Sequence, residues 1–322
     1  MKLIKKTVGP LTTCLLIILF IVVLGYIVRP VDTDYAYTQI ETFHSLPENS
    51  LEVIIYGSSH AYRGINPMEL YEKYGIGAYN YGYHWQHITT TKLFLQDSLM
   101  TQKPRIAIIE CLRSSDPLKD VKMQPEIYYS RYIKNERAKI NYLRQCFGNS
   151  IEEYVSFYVP LYAFHDNWNT LAVRSFVKMK KDSNAISYMG FAPSDKVDTS
   201  VEISDYYSFE QLPLSDLALE ELDSIMELCR KNNIEVIFYT APYQGEYNFG
   251  DAMEQYAEKN DCVYLDLFKL IDDVGIDDKT DFCDPGHLNT SGANKVADYI
   301  GRYIVDNYDI TDMRTIDNNL WE

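Results

Sequence analysis

The sequence has little that would staple a fold together by covalent or metal cross-links. It holds six cysteines. Cys14 sits in an apolar run, which leaves Cys111, Cys146, Cys229, Cys262 and Cys283 beyond it. An odd number without paired short spacings argues against a disulfide framework and against a zinc site. Positive charge is also scarce, with 30 basic residues against 46 acidic ones. Three of the basic residues precede residue 8 and every acidic one follows residue 31, so the rest of the chain sets 27 basic against 46 acidic residues, a formal −19. That surplus argues against nucleic acid as a partner. It would also repel an anionic polymer or lipid surface, which favours a neutral glycan as substrate. No internal repeat, low-complexity tract or recognisable cofactor loop is present, so no cofactor is expected. No small-residue cleavage site of the A-x-A kind follows the apolar run.

That run, residues 8–28, is uncharged, preceded by Lys2, Lys5 and Lys6 and followed by Arg29-Pro30. At about 1.5 Å per residue a helix of this length crosses the ~30 Å hydrocarbon core of a bilayer. The lysines place residues 1–7 in the cytoplasm and everything after Arg29 outside. Without a cleavage site, the run reads as an uncleaved single-pass signal anchor in the cell membrane. Residues 29–50 are polar and read as a stalk. Residues 51–322 read as one extracytoplasmic domain.

Continuous apolar runs separated by helical spacing mark strands buried on both faces of a parallel sheet. They fall at 51–56, 76–80, 105–110, 234–240 and 262–267, with helices expected over 66–74, 86–100, 214–232, 251–259 and 290–308. The expected class is α/β, a five-stranded parallel sheet between two helical layers. From about 114 to 213 the rhythm gives way to aromatic, amphipathic helical material such as 128–147 and 151–164. This insertion is expected to cover the active-site end or to meet a partner.

Two stretches carry chemistry. Gly57-Ser58-Ser59-His60 follows the first strand, so Ser59 falls on a strand-to-loop turn where such sheets present groups to ligands. Near the other end stands Asp284-Pro285-Gly286-His287-Leu288-Asn289. Three residues apart in a turn, Asp284 can orient the His287 imidazole to deprotonate a serine. Each stretch alone is a common turn; their order around an α/β pattern makes them a candidate triad. His84-Trp85-Gln86-His87 has a helical metal-ligand spacing but no third ligand nearby, so these residues read as the rim of the site and no metal is expected. Trp85 and the 28 tyrosines suit sugar stacking or a core. Tyr243, after the fourth strand, is a candidate for substrate contact, and His60 reads as a shaper of the turn.

On these two blocks the chain resembles the SGNH (GDSL-type) hydrolase superfamily over roughly residues 51–305. The resemblance implies Ser59 as nucleophile, His287 as base and Asp284 as the third member. It also implies oxyanion donors at the Ser59 backbone N–H and at Gly82 after the second strand. A third donor, an Asn in a Gly-x-Asn-Asp block, has no counterpart in Ile109-Glu110-Cys111-Leu112-Arg113. Either two backbone donors suffice or another side chain fills in; Arg63 and Arg113 are read as salt-bridged or substrate-binding. Membrane-anchored relatives accompany membrane-bound O-acyltransferases in polysaccharide O-acetylation and teichoic-acid D-alanylation. The resemblance therefore implies serine-dependent acyl transfer, acetyl above all, onto an extracytoplasmic glycan beside a multi-span O-acyltransferase partner. The alternatives are a carbohydrate esterase or deacetylase and a non-catalytic, glycan-binding scaffold.

Overall fold

The computed structural model describes residues 2–29, 33–112, 125–171, 188–203, 210–245, 247–317 and 319–321. Its centre is a sheet of β1 (Val53–Tyr56), β2 (Ala78–Asn80), β3 (Ile106–Glu110), β4 (Glu235–Thr240) and β5 (Val263–Asp266). The order is β2-β1-β3-β4-β5 and every pairing is parallel. The α/β class read from the sequence is the one observed. Successive side chains of a strand alternate between faces, so each apolar run feeds two cores. Ile54, Tyr56, Ala107 and Ile109 enter one core, and Val53, Ile55, Ile106 and Ile108 the other. The chain leaves β1 to pair with β2 on one side and returns through β3 on the other. A crevice therefore opens at the carboxyl ends of β1 and β3, the usual ligand position in such sheets.

Local chemistry sets the helix limits. Asn66 caps Pro67–Tyr74 by accepting from the Met68 N–H at 3.0 Å, and Gly75 ends the helix in the left-handed region at φ 70°. Asn289 caps Thr290–Asn307 through the Gly292 N–H at 3.1 Å. The helix expected over 128–147 is two, Pro125–Ser130 and Glu136–Phe147. Between them the backbone turns toward Asp97, whose Oδ1 accepts from the Lys134 and Asn135 N–H groups at 2.8 and 2.9 Å. Asp97 is fully buried and also meets His44 Nε2 at 2.7 Å and the Tyr81 hydroxyl at 2.8 Å, so its lone pairs find donors. The stretch 151–164 likewise divides into Ile151–Tyr158 and Pro160–Ala163, because Pro160 lacks the N–H that would continue the first helix.

The stalk expectation for 29–50 is corrected. Thr33–Ser45 is a helix whose Ile40 and Phe43 are buried, with the Phe43 ring stacked 4.0 Å from that of Tyr81. Gln39 Nε2 donates to the Asn80 and Gly82 carbonyls at 3.3 Å each. Ile40, Phe43 and Leu46 recur every three residues, but the polar side chains between them hide the stripe from a composition-based reading. Before it runs the helix Lys2–Val28, of which Gly9–Val28 is long and apolar enough to cross a membrane, with mean hydropathy 2.9. Its far end is seated on the insertion. A Cβ on Gly25 would lie 3.0 Å from the Leu161 backbone nitrogen, and Asn167 Nδ2 donates to the Val28 carbonyl at 3.1 Å.

Candidate active site

The first half of the site is a backbone turn held from below. Gly57 follows β1 at φ 137°, and a Cβ there would lie 2.5 Å from the Glu110 Cβ, so only glycine fits. Ser58 caps the short helix Ser59–Tyr62, its Oγ accepting from the His60 N–H at 3.3 Å. The same hydroxyl donates to Glu110 Oε2 at 2.7 Å, and the Ser58 N–H donates to that oxygen at 3.2 Å. Glu110 Oε1 accepts from the Leu112 N–H. Glu110 closes β3 and is only 3% exposed. Sequence reasoning missed it. The available signal was a carboxylate ending an otherwise apolar strand, where burial demands partners. Asn80 works alongside it: its Nδ2 donates to the Ala61 carbonyl at 2.7 Å and to that of Ile65 at 3.2 Å.

The second half is a hairpin. Phe282–Asp284 pairs antiparallel with His287–Leu288, and Pro285-Gly286 makes the turn. Register places Asp284 opposite His287. His287 Nδ1 and Asp284 Oδ1 are 2.8 Å apart, and that oxygen also accepts from the Gly286 N–H at 2.9 Å. Partial burial alone would raise the Asp284 pKa. The His287 hydrogen bond and charge, the Gly286 N–H and the nearby Arg63 guanidinium outweigh burial and hold the carboxyl below its ordinary value.

The halves meet at Ser59 Oγ, 2.8 Å from His287 Nε2. Serine, imidazole and carboxylate thus form one hydrogen-bonded chain at the carboxyl end of β1. The late insertion straps the halves together: the Ala192 N–H reaches the Tyr62 carbonyl at 2.9 Å, the Asp198 N–H that of Phe282 at 2.9 Å, and the Thr290 N–H that of Ser194 at 2.8 Å. A cavity of about 240 Å³ opens over the triad, lined by Ser58, Ser59, His60, His84, Trp85, Leu112, Tyr243 and His287.

The other expected residues divide. His84, Trp85 and Tyr243 line the cavity. The His60 ring does too, 5.3 Å from that of His287 and 5.5 Å from that of Tyr243. His87 is buried at the start of Ile88–Ser98, away from the exposed His84. Arg63 is not on the cavity wall. Its Nη1 lies 3.5 Å from Cys283 Sγ on the hairpin. Arg113 lies outside the described residues. Gly82 requires a correction: it is buried, its N–H donates to Asn80 Oδ1 at 3.2 Å, and it does not line the cavity. The Ser59 N–H, at the first position of its helix where no intrahelical acceptor exists, has no hydrogen-bond partner among the described residues. No residue of 125–171 lines the cavity, so the described part of the early insertion does not cover the active-site end. Among the described residues no group of three or more His, Cys, Asp or Glu could hold a metal ion.

Comparison with protein-family profiles and with curated protein sequences gives no match. Similar solved structures include a GDSL-like lipase from Bacteroides thetaiotaomicron, at TM-score 0.40 and 11% identity over 84% of this chain and 98% of that one. Another is an acetyl xylan esterase, at TM-score 0.39 and 12% identity over 78% of this chain and 99% of that one.

Proposed function

We propose that the protein is a membrane-anchored serine acyltransferase of SGNH type acting on a neutral extracytoplasmic glycan. The observation that carries this reading is the continuous chain from Ser59 Oγ through His287 to Asp284. In the proposed reaction Ser59 Oγ attacks an acyl carbonyl carbon while its proton passes to His287 Nε2. The tetrahedral oxyanion takes a hydrogen bond from the Ser59 N–H. Collapse breaks the bond to the leaving group, which departs with the proton from Nε2. A glycan hydroxyl then gives its proton to Nε2, attacks the Ser59 ester and releases the serine. Asp284, kept ionised by its partners, fixes the imidazole tautomer and balances the imidazolium. Trp85, His84 and Tyr243 supply ring faces and edges for a sugar.

The apolar helix supports a membrane anchor with the lysine-bearing end in the cytoplasm and the triad outside. Activated acyl groups of the cytoplasm would then reach Ser59 only through another protein, which is the ground for a multi-span O-acyltransferase partner. Hydrolysis is the second reading, because the same triad admits water and the His287 side chain is 27% exposed. A fluorophosphonate probe on isolated membranes tests the chemistry: the full-length protein should be labelled and Ser59→Ala should not. Labelling that survives in Ser59→Ala refutes the triad. The acyl content of the surface polymer in a deletion strain separates the two readings, since loss supports transfer and gain supports hydrolysis.

A further inference from the structure

The N-terminal helix meets the early insertion at its carboxyl-terminal end. Side chains from Gly9 to Val23 are exposed, whereas Gly25 and Val28 are buried against the domain. At 1.5 Å per residue the uncovered stretch is only about 22 Å long, while the full Gly9–Val28 helix reaches the ~30 Å of a hydrocarbon core. If the helix spans, its last turn must lie within the membrane. Whatever grips that turn then sits at the depth of the outer leaflet. The grip is the segment 151–168: Pro160 and Leu161 close on Gly25, and Asn167 binds the Val28 carbonyl.

The outward side of the same segment is apolar and aromatic. Ile151 is 79% exposed, Val155 39%, Tyr158 47%, Tyr162 46% and Trp168 47%. Ile151, Val155 and Tyr158 stand at i, i+4 and i+7, one stripe of the helix Ile151–Tyr158, while Glu152 and Ser156 fall off that stripe. The stripe itself lines a groove of about 540 Å³, together with Arg144, Asn149, Tyr154 and Val159. Tyr and Trp at the edge of an apolar stripe are the composition of a membrane–water interface. We propose that 151–168 is an interfacial membrane element. Its apolar stripe is immersed in the outer leaflet beside the anchor, so that the domain is seated on the lipid rather than suspended above it. The occupant is lipid acyl chain and glycerol-level surface. The acidic side chains Glu152, Glu153 and Asp166 on the same segment exclude attraction to anionic headgroups as the driving force.

This inference rests on the anchor reading, and one experiment separates the two. Full-length protein reconstituted in phosphatidylcholine vesicles carries three tryptophans, none of them in the apolar helix. Phosphatidylcholine brominated near the top of its chains should quench part of the emission, and that component should vanish in Trp168→Phe and in Ile151→Asp/Val155→Asp, with no change in 0.5 M salt. Protein that embeds stably yet shows no quenchable Trp168 component overturns the interfacial element while leaving the anchor intact. Trp168 shielded from both brominated lipid and aqueous acrylamide would mean that a protein covers the stripe, and this also overturns the proposal. Failure to embed at all overturns both readings.

Discussion

The two halves of the site are built to different standards. The Ser59 turn is buried and cross-braced: Gly57 is pressed against Glu110, Ser58 gives two hydrogen bonds to that carboxylate, and Asn80 ties the helix that starts at Ser59 to β2. The base hairpin is two short strands around Pro285-Gly286, with the Asp284 side chain 39% exposed. In the proposed reaction one half fixes an atom in space, and the other holds a group that gains and loses a proton and admits an acceptor. Structural stability should therefore depend on the first half and turnover on the pairing within the second.

The sharpest way to break this contrast is Asp284→Asn. It should cut turnover by roughly 10⁴-fold by presenting the wrong imidazole tautomer, while the unfolding midpoint stays close to that of the wild type. Steady-state kinetics beside a urea melt reads both, and a large fall in the midpoint would show that the hairpin is structural after all. Glu110→Gln is the reciprocal test. Losing a buried, charge-assisted network should destabilise the domain by about 1–3 kcal/mol, visible as a lower urea midpoint at unchanged slope. An unaltered midpoint would deny the nucleophile turn its brace. The smallest effect concerns acid. Asp284 has a folded pKa below the usual unfolded value of about 3.9, so its contribution is complete above that value and disappears as pH falls through the folded one. Exposure to solvent keeps that contribution small. Melts of wild type and Asp284→Asn should run parallel above about pH 5 and converge only below pH 4; convergence already near neutrality would contradict the direction of the shift.

The sheet and the order of the two chemical blocks were legible because each rests on local pattern. Val53–Tyr56 and residues 106–109 are apolar on both faces, and Asp284 and His287 are close in sequence as in space. What escaped the sequence depends on contacts between distant residues. Nothing near Glu110 announces that its carboxylate meets Ser58, 52 residues away. Gly82 has the sequence position of an oxyanion donor, yet Asn80 two residues earlier takes its N–H. The helix Thr33–Ser45 has an apolar stripe too narrow to stand out before Tyr79 and Tyr81 are known to receive it.

That helix changes the mechanics of the whole molecule. A domain on a slack tether sweeps a hemisphere, and its encounters with a substrate are governed by linker length. Here Gln39 and Phe43 are fixed into the domain, and the apolar helix is pinned by Leu161 and Asn167. On the proposed anchor reading, these contacts would hold Ser59 at a set height over the lipid instead of letting it sweep. Loosening either fixing would, on that reading, change the site's reach without touching an atom of its chemistry.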